Sequence, residues 1–165
     1  MPEGAGGALV HALKYGGWTR IAEPLGARMA RTDWPEDVIA ERTALIPVPL
    51  ARERRRERGY NQSELLARVI ARNWSLPVWS DVLERQRKTR TQTKLNPSER
   101  QANVAGAFSV PAGAESRLRG AHVLLVDDVI TTAATLNACG AALYGHGARI
   151  ISYVTFGRAR STADS

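Results

Sequence analysis

One short run of this sequence combines residue types that can bind a phosphorylated sugar. It begins with consecutive apolar residues, Val123–Val126, which are typical of a strand buried on both faces of a parallel sheet. Two adjacent carboxylates, Asp127 and Asp128, follow at the sheet edge where such folds bind their ligands. Because carboxylate oxygens accept hydrogen bonds from sugar hydroxyls, we expect this pair to bind a diol.

A loop rich in hydroxyl groups follows the carboxylates, and a helical pattern begins after it at Leu136. The loop contains, in order, Thr131, Thr132, Ala133, Ala134 and Thr135. Unpaired N–H groups at a helix start bind phosphate, so the run offers donors for a phosphate next to acceptors for a diol. A ribose 5-phosphate has both groups. The alternative, an ordinary strand–turn–helix with a solvated acidic end, is disfavoured because several independent requirements coincide here.

The same stretch resembles the ribose-phosphate-binding signature of type I phosphoribosyltransferases. The resemblance implies that Asp127 and Asp128 hold the ribose hydroxyls of phosphoribosyl pyrophosphate (PRPP) and act in catalysis, with Mg²⁺ bound through PRPP rather than directly by the chain. It also implies that PRPP is bound by the residues that follow, Val129, Ile130, Thr131, Thr132, Ala133, Ala134 and Thr135. The family usually has glycine at the position of Ala133. Since alanine tolerates a positive φ poorly, we expect either a different loop or weaker PRPP binding.

Motifs elsewhere resemble one branch of that superfamily, the competence-protein ComF family. They comprise Leu13-Lys14-Tyr15, Pro47-Val48-Pro49-Leu50, Arg58–Leu65, and the spacing of Arg87, Gln92, Leu95, Arg100, Asn103, Gly106 and Phe108. The resemblance implies an α/β, type I phosphoribosyltransferase fold, in which helices flank a twisted, mostly parallel sheet beside a small hood and flexible-loop region. It also implies a role in natural competence and DNA uptake. Many members carry a zinc ribbon of four cysteines, whereas this chain has only Cys139, so we expect no zinc.

Position within the superfamily implies roles for two further segments. Pro49 and Leu50 fall where relatives bind the diphosphate through backbone amides. The stretch 85–103 falls where relatives have a mobile loop that closes over the reacting centre. Arg90 is the predicted catalytic cation of that loop, and Lys88 and Lys94 are further cations for the departing pyrophosphate. Each of these basic residues is equally well explained as a solubilising surface charge.

The chain is unusually basic, with a formal net charge of +7. This excess favours polyanionic partners, either a pyrophosphate-bearing ligand or nucleic acid. The predicted nucleic-acid contacts are Arg52, Arg54, Arg55, Arg56, Arg58 and Lys88. Candidates for base stacking are Tyr60, Trp74 and Trp79. The alternatives are a solvated helix face, since Glu53 and Glu57 interrupt the arginines, and aromatic packing in the core.

The pattern of elements predicts one domain over residues 1–157, with a helical segment at 8–42, an α/β core at 43–157 and a disordered tail at 158–165. Predicted strands cover 43–48, 77–83, 107–110, 123–126 and 150–156. Predicted helices cover 5–15 and 18–29, with a break near Pro24, and begin after Asn61, Asn96 and the hydroxyl-rich loop. No apolar run reaches 18 residues and no signal peptide is recognisable, so we expect a cytoplasmic protein that does not insert into membranes.

Two functions compete. The first is a transferase that joins phosphoribose to an unidentified nucleophile and releases pyrophosphate. The second is a PRPP-binding or single-stranded-DNA-handling competence factor that works with competence-machinery proteins, and a PRPP-sensing regulator without turnover is a third. Thr131 disfavours 6-oxopurine acceptors, because related enzymes that use them often have an aspartate base there, and threonine does not accept that proton at neutral pH.

Overall fold

The computed structural model describes residues 5–86, 106–130 and 133–158. Its elements, in chain order, are helix α1 (Ala5–Tyr15), a 3₁₀ turn (Thr19–Ile21), helices α2 (Ala22–Ala30) and α3 (Glu36–Glu41), strand β1 (Arg42–Pro47), helices α4 (Arg52–Arg58) and α5 (Gln62–Trp74), strands β2 (Glu84–Arg85) and β3 (Phe108–Ser109), helix α6 (Glu115–Leu118), strand β4 (His122–Ile130), helix α7 (Ala134–Gly145) and strand β5 (Ile150–Arg158). None of the helices in these ranges has the length and apolarity that a bilayer crossing requires.

The central sheet consists of three parallel strands in the order β1-β4-β5. Leu45 of β1 is paired with Leu124 of β4. Successive side chains of a strand point to opposite faces. Accordingly, Leu124 and Val126 join one buried cluster with α1, α2 and α5, while Val123 and Leu125 join another with α7. Helices therefore cover both faces of β4, and the predicted α/β fold with a parallel sheet is confirmed.

The start of α5 is anchored to the chain that leaves β1. The side-chain oxygen of Asn61 accepts a hydrogen bond from the Ser63 N–H (3.1 Å), as the predicted helix cap requires. The Asn61 amide also donates to the Val48 carbonyl (3.0 Å). One side chain thus satisfies a free N–H of the helix and fixes the helix start against the end of β1.

The strand predicted at 77–83 is wrong in extent. Only Val78 joins the sheet, as an isolated bridge to Leu45, and the chain then turns. The apolar residues Val82 and Leu83 are buried, so the apolar character of this segment serves packing rather than strand pairing. Strand β2, which follows the segment, pairs antiparallel with β3 instead.

Other boundaries differ by smaller amounts. The helix predicted over 18–29 is divided into the 3₁₀ turn and α2, and Pro24 lies in the first turn of α2, where its missing N–H is no loss. The connection between β3 and β4 contains the short helix α6. Strand β5 includes Arg158, so the predicted tail begins one residue too early. The remainder of that tail and the helix predicted after Asn96 lie outside the described residues.

Candidate functional site

The two acidic residues lie within β4 rather than beyond its end. The strand continues to Ile130, which corrects the expectation that it stops before Asp127 and Asp128. Pairing with β1 ends where Pro47 faces Val126, whereas pairing with β5 continues to the end of β4. The carboxylates therefore lie at the point where the sheet loses one of its strands, on the carboxyl-terminal edge that binds ligands in parallel sheets.

Asp127 is half-buried and is held by two hydrogen bonds. Its Oδ1 accepts one from Ser63 Oγ (3.0 Å) and one from the Asp128 N–H (2.9 Å). Burial, and next the charge of Asp128, raise the pKa of Asp127 to about 7. At neutral pH this carboxyl is balanced between its charged and neutral forms, so it can exchange a hydrogen bond with a sugar hydroxyl in either direction.

Asp128 is more deeply buried and forms an ion pair. Its side chain is 3% exposed, and its Oδ2 lies 2.8 Å from Nζ of Lys14, near the carboxyl-terminal end of α1. Its Oδ1 accepts a hydrogen bond from the Val129 N–H (2.7 Å). A buried carboxylate needs such partners to remain charged. Sequence reasoning placed Lys14 in a family motif without a role, because no spacing pattern links the two ends of the chain.

Ala133 has an ordinary backbone conformation at the start of α7. Its φ is −64° and its ψ is −4°, so the anticipated conflict between alanine and a positive φ does not arise. The side chain of alanine cannot cap a helix, and the first turn of α7 contains no acidic residue. Among the described residues, no side chain caps this helix start, which suits an anion.

The other residues predicted to bind PRPP divide between two elements. Val129 and Ile130 are the last residues of β4, and Ala134 and Thr135 are the first residues of α7. Val129 is buried, whereas Ile130 and Thr135 are half-buried. The stretch 131–132 lies outside the described residues. The structure therefore places the described part of the predicted loop directly between the carboxylates and a helix start.

The predicted diphosphate segment leaves the sheet beside the carboxylates. The Val48 N–H donates to the Val126 carbonyl (2.9 Å), and the half-buried Pro49 and Leu50 follow before α4 begins. The structure thus brings this segment and the acidic pair to one edge. The predicted cations of the mobile loop, Lys88, Arg90 and Lys94, lie outside the described residues.

Helix α4 carries the predicted nucleic-acid contacts that the structure describes. Its exposed arginines are Arg52, Arg54, Arg55 and Arg56. Arg58 is half-buried and donates a hydrogen bond to Gln62 Oε1 (3.0 Å), so it organises the turn before α5. Arg55 lies 3.6 Å from a carboxylate oxygen of Glu64. The helix therefore presents a basic surface that is partly neutralised by its own neighbours.

The aromatic residues predicted for base stacking have packing partners. Tyr60, Trp74 and Trp79 are half-buried, and each contacts another part of the chain through a hydrogen bond or a cation–π contact. Two other aromatic side chains, which follow Lys14 closely in the sequence, are exposed instead, Tyr15 by 62% and Trp18 by 67%. Sequence reasoning missed this exposure because it depends on where α1 ends and on what packs beyond that point.

Comparison with known proteins assigns the chain to a class. Residues 61–165, more than half of the chain, match the phosphoribosyl transferase domain family. The chain belongs to this family, and the matched region contains the carboxylate pair, the hydroxyl-rich loop and helix α7.

Curated relatives within this class are named for competence and DNA utilization. Competence protein F of Haemophilus influenzae is 42% identical over 94 residues, which cover 57% of this chain and 41% of that protein. DNA utilization protein YhgH of Salmonella typhi is 35% identical over 151 residues, which cover 87% of this chain and 63% of that protein. These relatives confirm the predicted resemblance to the ComF family. The chain spans less than two thirds of the length of either relative.

A solved structure confirms the fold. The allosteric regulatory enzyme of purine biosynthesis superposes with a TM-score of 0.54 over 82% of this chain and 25% of its own chain, at 20% sequence identity. At that identity the likeness concerns the fold alone.

Proposed function

We propose that the chain is a PRPP-binding, phosphoribosyltransferase-like protein of the ComF type that serves natural competence and DNA uptake. One observation carries the proposal: two adjacent carboxylates at the edge of a parallel sheet directly precede the start of α7. In a chain of the phosphoribosyl transferase domain family, this arrangement supports binding of a ribose diol next to a phosphate. The names of its relatives support the cellular role.

In this proposal each group contacts a different part of PRPP. Asp127 and Asp128 accept hydrogen bonds from the ribose hydroxyls, and the hydroxyl-rich loop with the first turn of α7 binds the 5-phosphate. The Pro49-Leu50 segment binds the diphosphate. Ser63 orients Asp127 through its hydrogen bond, and Lys14 forms an ion pair with Asp128.

The proposed reaction is displacement of pyrophosphate at ribose C1 by an acceptor nucleophile. Positive charge would develop on the sugar as the bond to the diphosphate breaks, and Asp127 and Asp128 would stabilise it. Arg90 and Lys88 would bind the departing pyrophosphate. The chain would act by positioning and by electrostatic stabilisation rather than through a covalent intermediate.

Mg²⁺ is the metal that the family implies, and the donor chemistry of the site fits it. Mg²⁺ prefers oxygen ligands and usually binds through one or two carboxylates together with substrate phosphates. In this site Asp127 and Asp128 would hold the metal through the PRPP that they bind, rather than as direct ligands. When bound, the metal would neutralise charge on the leaving diphosphate.

Titration calorimetry with PRPP and Mg²⁺ tests the proposal. We expect saturable binding by the wild-type protein and loss of binding in the Asp127→Asn, Asp128→Asn double variant, with circular dichroism as the check that the variant is folded. Unchanged PRPP affinity in a folded variant would refute the site. Pyrophosphate release with an acceptor then separates a transferase from a PRPP-sensing regulator, which binds PRPP without releasing pyrophosphate.

A second function, the handling of single-stranded DNA, is favoured by the exposed arginines of α4 and by the net charge of +7. Lysine and arginine contacts to a phosphate backbone release counterions, so such binding weakens steeply with salt. A labelled single-stranded oligonucleotide should therefore bind at low salt and dissociate as salt is added. Absence of binding at low salt would exclude this function for the chain.

A further inference from the structure

The crossing of helices α2 and α5 leaves a groove on the surface of the protein. The two helices approach closely, since a Cβ atom added to Gly26 would lie 2.6 Å from Cβ of Val69. The groove has a volume of about 440 Å³, and the residues that line it include Arg20, Glu23, Leu65, Arg68, Val69 and Arg72. None of these belongs to the segments proposed to contact PRPP, so the groove is a separate surface.

The lining of the groove is apolar at its base and basic at its rim. Val69 is buried and Leu65 is half-buried, whereas Arg20, Arg68 and Arg72 are exposed. Apolar contact area and complementary charge are the two properties by which protein surfaces recognise each other. A segment that fits this groove therefore combines an apolar side chain with neighbouring carboxylates.

The arginines of the rim can accept a further carboxylate. Arg72 is paired with Glu23 (2.6 Å) and Arg68 with Glu64 (2.8 Å), and both arginine side chains are at least 60% exposed. Such exposed pairs contribute little, and a guanidinium has more N–H donors than one carboxylate uses. Arg20 forms no ion pair or side-chain hydrogen bond with any residue that the structure describes. An incoming carboxylate therefore need not displace the acids already present.

Helix α3 of the same chain carries the complementary surface. The segment 32–41 contains four acidic residues and no lysine or arginine, although the net charge of the chain is +7. Val38 is half-buried against the protein, whereas Ile39 is 46% exposed. Glu36 is also exposed and lies beside Ile39 on the helix surface, because the two residues are three positions apart. The helix thus presents an apolar side chain next to a carboxylate.

The carboxylates at the start of α3 are available to a partner. Glu36 and Asp37 form no ion pair or side-chain hydrogen bond within residues 5–86, 106–130 and 133–158. Glu41, at the other end of the helix, is instead paired with Arg149 (2.8 Å). The first turn of α3 therefore contributes negative charge that its own chain leaves without a partner.

We propose that the groove binds α3 of a second copy of this chain, with Ile39 packed on Leu65 and Val69 and with Glu36 paired with Arg20. Charge complementarity carries the choice of occupant, because one chain supplies both the basic rim and the acidic helix. Two copies related by a two-fold axis would form this contact twice.

Sedimentation velocity on the full chain tests whether the copies associate. A short helix covers a small area, so we expect weak association that increases with concentration and is evident at about 100 μM. A protein that stays monomeric at that concentration overturns the proposal, and the groove would then suit an acidic segment of another protein.

Charge-reversal variants test the location of the contact. Arg20→Glu and Glu36→Arg should each raise the dissociation constant of the pair at least about tenfold, because each places two like charges opposite each other. Arg119→Glu makes the same change in charge at an exposed arginine after α6 and is the matched control. Association that survives both variants, or that Arg119→Glu weakens as much, overturns the proposal.

Mixing the two variants separates a lost contact from a damaged fold. In a mixed pair, the groove of the Glu36→Arg copy meets an unaltered α3, and any second contact joins the two reversed charges. The mixture should therefore associate within about threefold of the wild-type protein, whereas each variant alone does not. If circular dichroism shows that both variants are folded and their mixture still fails to associate, the proposal is wrong.

Discussion

Both ends of the central strand β4 bury ionisable side chains, but burial shifts the pKa of those side chains in opposite directions. At the amino end, His122 is buried, its Nε2 lies 2.9 Å from Ser152 Oγ, and burial lowers its pKa. At the carboxyl end, the adjacent Asp127 and Asp128 are held by Lys14 and by backbone N–H groups, and burial raises the pKa of Asp127.

This difference supports the proposed location of the site at the carboxyl end of the strand. The imidazole of His122 is bonded to the next strand through Nε2 alone, and its Nδ1 is buried without a hydrogen-bond partner among the described residues, so its role is packing within the sheet. Two adjacent carboxylates repel each other and oppose folding, so packing alone gives no reason for them. Groups whose ionisation is perturbed in this way cluster at functional sites. The carboxyl end is also the edge where parallel sheets bind their ligands, and the two arguments agree.

The largest expected effect concerns PRPP binding at the carboxyl end. The Asp127→Asn, Asp128→Asn double variant should bind PRPP about a thousandfold more weakly, because each charged acceptor contributes about 1.5–3 kcal/mol. His122→Asn, at the amino end, should change PRPP affinity by less than about threefold. Calorimetry measures both, and comparable losses in the two variants would mean that the two ends do not differ in function.

The ion pair at the carboxyl end should matter more for stability than the surface pair at the amino end. Lys14→Met leaves Asp128 buried without its cation and should lower the free energy of unfolding by about 3 kcal/mol. Arg149 and Glu41 form a half-exposed pair, so Arg149→Met should lower the free energy of unfolding by less than about 1 kcal/mol. Urea unfolding at pH 7 measures both, and adding Asp128→Asn to Lys14→Met should restore much of the lost stability.

Asp127, at the carboxyl end of β4, should make the protein less stable as pH rises. The pKa of Asp127 is about 7 in the folded chain and about 4 in an unfolded one. Between these values the folded state binds more protons, so stability falls as pH rises from about 4 to 7. Asp127→Asn should therefore stabilise the protein at pH 8, by on the order of 2 kcal/mol once solvent screening is allowed for, and give little gain at pH 4. Thermal unfolding at the two pH values checks this.

His122, at the amino end of β4, should make the stability of the protein depend on pH in the opposite direction. Burial lowers the pKa of His122 in the folded chain, so below about pH 6.5 the unfolded state binds more protons and stability falls as pH decreases. His122→Asn should lack this part of the acid sensitivity. Thermal unfolding of the variant between pH 5 and 7 measures it, and a slope equal to that of the wild-type protein would contradict the assigned cause.

The smallest expected effect concerns Ala133. Because its φ is −64°, glycine offers no conformational advantage at this position. Ala133→Gly should therefore change PRPP affinity by less than about twofold, as measured by calorimetry. A large gain in affinity would show that the loop adopts a different backbone when PRPP binds.

The parts of the fold that follow from the sequence are those encoded in consecutive residues. The apolar run Val123–Val126 predicts a strand covered on both faces, and alternate side chains of that run enter two different clusters. The same stretch places the carboxylates just before a helix. Asn61 predicts a helix cap because capping depends on residues two or three positions away. Local structure of this kind can be predicted from the sequence alone.

The contacts that complete the candidate site join distant parts of the chain. Lys14 reaches Asp128 and Ser63 reaches Asp127 only after α1 and α5 have packed against the sheet. Periodicity indicates which face of a helix is buried, but it does not indicate which polar residue at the end of the helix meets a carboxylate. The strand predicted at 77–83 is wrong for a related reason, since its apolar residues are buried in the core without pairing as a strand.

The first turn of α5 has one more consequence. Asn61 is bonded to Val48 in front of the diphosphate segment, and two residues later Ser63 is bonded to Asp127. In the proposed complex, the first turn of one helix would therefore set the distance between the diphosphate and the ribose diol, because it positions both the segment and the carboxylate that contact them. Loops on either side can change in length or sequence while this spacing, and with it the size of ligand that fits, is preserved.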